Sequence, residues 1–132
     1  MKIILRNSTL EFQKPVQLNE ELLDDSKSTR NKWIEHDGTI VDLNNFTVSD
    51  YIRVYPGIQY TFRRTKNGWS FADNYVRYDV NKTFVEVNTS TESSGEPVDI
   101  TVNGWDGYIR LEYINSDGEN NIASFKATSY SS

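Results

Sequence analysis

The chain has 132 residues, 14 of them basic and 19 acidic, for a net charge of −5, and it contains no cysteine. That length holds one core burying roughly two-thirds of the unfolded surface, and disulfides and thiolate metal sites are excluded, which leaves the redox compartment open. No block of about five like charges occurs, which argues against a nucleic-acid footprint or an anionic-membrane surface, and no apolar run approaches the roughly eighteen residues of a membrane span.

Along the chain, residues 2–6 and 9–13 read as an extended, alternating segment that ends at Lys14-Pro15. Its apolar stretch, Ile3 to Leu5, is cut off by Arg6 and is far too short for a signal-peptide core, so no signal peptide is expected. Leu18-Asn-Glu-Glu-Leu-Leu23 allows at most a turn or two of helix capped by Asn19, and residues 24–32 read as a polar loop leading to Trp33-Ile34, a core candidate. The turn His36-Asp37-Gly38-Thr39 follows.

Strands are then expected at 39–43, 46–55, 59–64, 74–80, 83–88, 98–103, 108–115 and 122–128, separated by turn residues such as Pro56-Gly57, Asn67-Gly68, Asn103-Gly104, Asp106-Gly107 and Asp117-Gly118. Residues 89–96 read as a loop. Alternation places Ile52 and Val54 on one face and Tyr51, Arg53 and Tyr55 on the other. The same parity assigns Tyr60, Phe62, Val76, Tyr78, Ile109 and Leu111 to the core. Short strands without a long helical pattern imply an all-β fold, an antiparallel two-sheet β-sandwich, with a closed barrel as the alternative.

Four stretches in order, 22–34 with 37–40, Val48-Ser-Asp-Tyr-Ile-Arg-Val-Tyr-Pro-Gly57, Arg77-Tyr-Asp-Val-Asn-Lys-Thr-Phe84 and Gly107-Tyr-Ile-Arg-Leu111, carry a likeness to a known group. They resemble the jelly-roll modules of bacteriophage tail, baseplate and fibre proteins, which are similar to carbohydrate-binding and galactose-binding-like domains. The resemblance implies a jelly-roll sandwich over residues 17–132 and a non-enzymatic virion surface or tail-fibre accessory role. It further implies other virion structural proteins as partners, homo-oligomerisation, a place on the extracellular particle and no cofactor. Recognition of bacterial surface glycans, hence of a host, is the alternative, and glycan hydrolysis is a third reading. Residues 1–16 precede the matched region and are expected to add a strand to the same sheet or to a neighbour's.

Candidate site residues follow from turn position and strand parity. Trp69 beside Asn67-Gly68 and Trp105 between Gly104 and Asp106 are turn-borne indoles, suited to stacking on a pyranose with Asn67, Asp106 or Arg110 bonding its hydroxyls; capping the ends of the core is the other reading. Tyr108 and Arg110 alternate with Ile109 and Leu111, and Tyr75 and Arg77 with Val76 and Tyr78. If both pairs face outward on one sheet, they form a Tyr/Arg patch of the kind enriched in protein interfaces, or cross-strand charge pairs on a solvated face. For His36, the one histidine, the sequence singles out neither the nucleophile nor the orienting group that catalysis needs, so it reads as a turn residue, and 117–120 reads as a hairpin turn, since it lacks the spacing of a calcium loop. No metal site is expected.

Overall fold

The computed structural model describes the backbone of residues 2–6, 9–13, 16–65, 73–89, 97–120 and 123–130, and the side chains of 16–65, 74–89, 97–118 and 123–130. Strands run β1 (Lys2–Arg6), β2 (Thr9–Gln13), β3 (Thr29–Ile34), β4 (Ile40–Val48), β5 (Ile52–Val54), β6 (Ile58–Arg64), β7 (Asp73–Tyr78), β8 (Phe84–Thr89), β9 (Val98–Asn103), β10 (Gly107–Ile114) and β11 (Ser124–Tyr130), with one short helix, α1 (Asn115–Asn120). The fold is an antiparallel two-sheet β-sandwich. The wide sheet has the order β3-β4-β10-β7-β8 with β5 also on β10, and the narrow sheet is β11-β6-β9.

Alternation builds the core between the sheets. Tyr60 and Phe62 of β6, Phe125 and Ala127 of β11 and Val102 of β9 face Val54, Ile109, Leu111 and Tyr113 of the wide sheet, all buried in one cluster. The Tyr60 and Phe125 rings stack at 5.1 Å and 8°. Pro56-Gly57 carries the chain from one sheet to the other: Gly57 takes φ +79°, and the Tyr60 hydroxyl accepts the Tyr55 N–H at 3.0 Å. Ile52 is only half-buried, at the margin of this cluster.

A second cluster lies on the opposite, outer face of the wide sheet, where Ile34, Val48, Val76 and Tyr78 are buried with Phe84 and Val87 beside them. The β3–β4 hairpin bends over that face. Its Ile34 N–H donates to buried Glu112 at 3.2 Å, and Gly38, at φ +92°, lies so close to Phe84 that a Cβ there would sit 2.7 Å from the ring. Thus β7 meets apolar surroundings on both faces. Its register with β10 pairs Leu111 with Tyr75 and Arg110 with Val76, so parity within each strand assigned the right alternation and the wrong shared faces.

The structure corrects several local expectations. Residues 2–6 and 9–13, read as one extended segment, form a two-stranded hairpin. Residues 19–22 are not helical; they run along β11, with Asn19 N–H donating to Ala127 O at 2.7 Å and Leu22 N–H to Phe125 O at 2.8 Å. The polar loop 24–32 instead contains a 3₁₀ turn and β3, whose solvated residues hide its strand character. The expected strand 46–55 is broken at 49–51, and the 117–118 turn is inside α1. There Asp117 is buried and accepts the Thr65 N–H at 3.0 Å, while Gly118 abuts the Asp25 carboxylate, where a Cβ would be 2.3 Å away.

Candidate functional site

A bulge builds the outer face of the wide sheet beside β5. Val48 pairs with Glu112 and Ile52 with Ile109, so residues 49–51 oppose only 110–111. Ser49 fills the extra position: its N–H donates to Leu111 O at 2.9 Å and its hydroxyl accepts the Leu111 N–H at 2.8 Å. The extra residue changes parity and brings Tyr51 onto the same face as Val48, where the outer cluster already sits.

Register then lines up Arg53, Tyr108, Tyr78 and Phe84 across four strands. Tyr51 meets Tyr78 edge-on at 4.9 Å and Tyr108 at 6.1 Å. Three cations gather on these rings: Arg110 lies 4.7 Å over Tyr51, the Lys82 ammonium 5.1 Å from Tyr51 and 5.0 Å from Tyr108, and Arg53 5.8 Å from Tyr108 and 4.4 Å over Tyr55. Lys82 is presented by the β7–β8 turn at φ +62°, held by Asp79, whose carboxylate accepts the Asn81 and Thr83 N–H groups at 2.8 and 2.9 Å. Arg110 Nε donates to Ser49 O at 2.8 Å, and Arg53 pairs with Asp106 at 2.5 Å. The β3–β4 hairpin covers one half of this face; the other half presents Tyr51 and Tyr108, both half-buried, with exposed Lys82. A cleft of about 250 Å³ adjoins it, lined among others by Leu22, Lys27, Asp50, Tyr51 and Arg53.

The expected site residues separate in space. Arg110, Tyr108 and Asp106 contribute to this face. Tyr75 is only 7% exposed and belongs to the core between the sheets, contrary to the outward assignment, because it sits opposite Leu111. Arg77, opposite Ile109, shares that inner face, so the Tyr75/Arg77 and Tyr108/Arg110 pairs do not form one patch. Trp105 packs against the edge of the core: its ring lies 6.1 Å from Tyr75 at 17°, Arg77 sits 4.4 Å over it, and its Nε1–H donates to Tyr78 O at 3.0 Å. Asn67 and Trp69 lie outside the described residues, as does most of the 89–96 loop. His36 is exposed at the tip of the β3–β4 hairpin.

Sequence reasoning missed Tyr51, Arg53 and Lys82 as partners of Tyr108. The outward Tyr51 and Arg53 were legible, but only the strand order brings them beside Tyr108.

It also missed a polar clamp around Asp25. Arg30 binds this carboxylate through both terminal nitrogens, at 2.9 and 2.6 Å, and the buried Tyr113 hydroxyl donates to it at 2.6 Å while contacting the Ser28 hydroxyl at 2.8 Å. The Arg30 hydrogen bond holds Asp25 below the ordinary carboxylate range, and burial raises the Tyr113 phenol. A cleft of about 570 Å³ opens beside it, lined among others by Glu21, Leu23 and Asp25. Its carboxylates serve the fold: Glu21, for example, accepts the Leu23 and Phe125 N–H groups at 3.2 and 2.7 Å.

Among the described residues no group of three or more histidine, cysteine, aspartate or glutamate side chains has metal-binding geometry. No family model, no curated protein and no solved structure matches the chain.

Proposed function

We propose that this chain is a non-enzymatic jelly-roll-type module that assembles with other structural proteins of a phage-like particle, docking through the Tyr51–Tyr108 face. One observation carries the docking part of this reading: two half-buried tyrosines ringed by Arg53, Lys82 and Arg110 stand on the outer face of the wide sheet, in a chain whose net charge is −5. Tyr and Arg combine apolar area with polar reach at low entropic cost, which is why they concentrate at protein interfaces. Lys82 and Arg110 favour an acidic partner surface, while Arg53 is already paired with Asp106. The sequence resemblance supplies the particle.

Glycan recognition draws no support from Trp105, whose ring is engaged by Tyr75 and Arg77 and whose N–H is bonded within the fold. Aromatic stacking on sugar needs a free ring face.

The test is to purify particles produced from the genome that encodes this chain and to probe them with an antibody against it. The chain is expected in the particle at fixed stoichiometry and released by high salt, as a charge-selected contact requires. Its absence from purified particles would overturn the reading.

A further inference from the structure

Strand β5 has β10 on one side and, among the described residues, no strand on the other. Which of its main-chain groups face outward follows from β10. Both main-chain groups of Leu111 point to the β4–β5 side, where the Ser49 N–H donates to its carbonyl at 2.9 Å and the Ser49 hydroxyl accepts its N–H at 2.8 Å. These directions alternate along a strand, so Ile109 and Gly107 also point to β5 and bond their register partners, Ile52 and Val54. The Arg53 guanidinium agrees, since it reaches the Val54 and Gly107 carbonyls together. Arg53 itself stands opposite Tyr108, whose main-chain groups point to β7. Its own N–H and C=O are therefore turned away from β10.

They open on the cleft beside the docking face. Residues 22–27 supply its far wall, and they lead into β3, which flanks β4 on the side away from β10. The cleft thus occupies the place of a neighbouring strand. Leu22, Leu23 and Ile52, half-buried against the core, give it an apolar floor. Asp24 and Asp50 balance Lys27 and Arg53 around it, so a segment that enters needs no net charge. At about 250 Å³ it is smaller than the roughly 300–1,000 Å³ of small-molecule sites and suits a side chain rather than a whole ligand. Tyr51 and Arg53 belong to both the cleft and the docking face, which makes the two continuous.

We infer that the partner docked on the Tyr51–Tyr108 face presents an extended segment that enters this cleft and adds to the β5 edge. The inference rests on the docking reading and specifies the partner's part in it. An extended peptide offers the carbonyl and N–H that the outward Arg53 groups require, whereas a helix bonds its own internally. The residue paired with Arg53 lies on the outer face beside the tyrosines, and its two neighbours turn inward onto Leu22, Leu23 and Ile52. The segment therefore reads apolar, polar, apolar. Because β5 has only three residues, the pairing fixes the segment's register, and the Tyr51–Tyr108 face supplies most of the contact area.

Amide exchange on the unmodified chain tests this. The chain is exchanged free and on purified particles, then released by high salt and read by NMR. The Arg53 amide is expected to exchange at least about tenfold more slowly on the particle. Competition for particles gives a second readout: Leu23→Asp, which places a charge under the entering side chain, is expected to be retained several-fold less than wild type. The exchange result does not depend on how that variant folds. Unchanged exchange at Arg53 on the particle, or equal retention of Leu23→Asp, overturns the inference and leaves the docking face standing. Protection of Arg53 that appears in the free chain as its concentration rises would place a second copy in the cleft and would also overturn it. Absence of the chain from particles overturns this inference and the docking reading together.

Discussion

Arg110 on β10 lies directly opposite Val76 on β7, so its guanidinium shares a sheet face with Tyr78 and Tyr51 rather than with Ile109. That pairing divides the wide sheet into an inner face that makes the sandwich core and an outer face that is half covered by the β3–β4 hairpin and half open. The bulge at Ser49 is what sets the outer face. Removing its hydroxyl leaves the buried Leu111 N–H without its acceptor, and Ser49→Ala is expected to lower stability by about 1–3 kcal/mol in urea unfolding. A variant as stable as the wild type would show that the bulge is held by other means.

Gly38 closes the covered half. A side chain there meets Phe84 at 2.7 Å and must adopt φ +92°. Gly38→Val is expected to cost about 1–3 kcal/mol from backbone strain alone and to loosen the β3–β4 hairpin, seen as faster amide exchange at Ile34. Unchanged exchange at Ile34 would mean that the hairpin does not depend on this contact.

The clamp at Asp25 gives a pH dependence with a defined sign. Arg30 and Tyr113 depress the Asp25 pKa in the folded chain, so its contribution is present above the ordinary carboxylate pKa of about 4 and is lost as pH falls through the lower, folded value. The stability difference between wild type and Asp25→Asn is expected to be largest near neutral pH and to shrink on acidification. Both partners are about one-third exposed, at 35% and 29%, so solvent screening keeps the ion-pair part of the difference small. Tyr113→Phe, which removes a buried hydroxyl from the same carboxylate, is expected to cost about 1.5–3 kcal/mol. A difference that grows toward acid pH would reverse the assignment.

Trp105 separates a structural role from a ligand role. Its contacts with Tyr75, Arg77 and Tyr78 O predict that Trp105→Ala loses about 2–3 kcal/mol, somewhat less than a fully buried indole. Full retention of stability together with loss of binding on a glycan array would move this residue back to sugar recognition.

Much of the sandwich is legible in the chain because period-two alternation and turn residues agree: Ile52/Val54, Tyr60/Phe62 and Ile109/Leu111 each share a face, and Pro56-Gly57 and Asp37-Gly38 turn where expected. Alternation fails where both faces are apolar. On β7, Asn74, Tyr75, Val76 and Tyr78 are all buried, so nothing local says that Tyr75 faces Leu111 and Val76 faces Arg110. It fails again at Ser49, where one extra residue swaps faces without changing composition, and on β3, where Thr29 to Lys32 are polar because the strand is an edge. The candidate face was half legible: Tyr108 and Arg110 could be read as outward, but their meeting with Tyr51, Arg53 and Lys82 depends on strand order, which is a long-range property.

The central claim is that the Tyr51–Tyr108 face docks a particle protein. Lys82 tests it most directly, since its side chain is exposed and its described contacts are with the two rings. The measurement is the number of copies of the chain retained per purified particle when wild type and Lys82→Glu compete in equal amounts. The account predicts a several-fold excess of wild type with unchanged melting temperature for the variant. Equal retention of the two would contradict it.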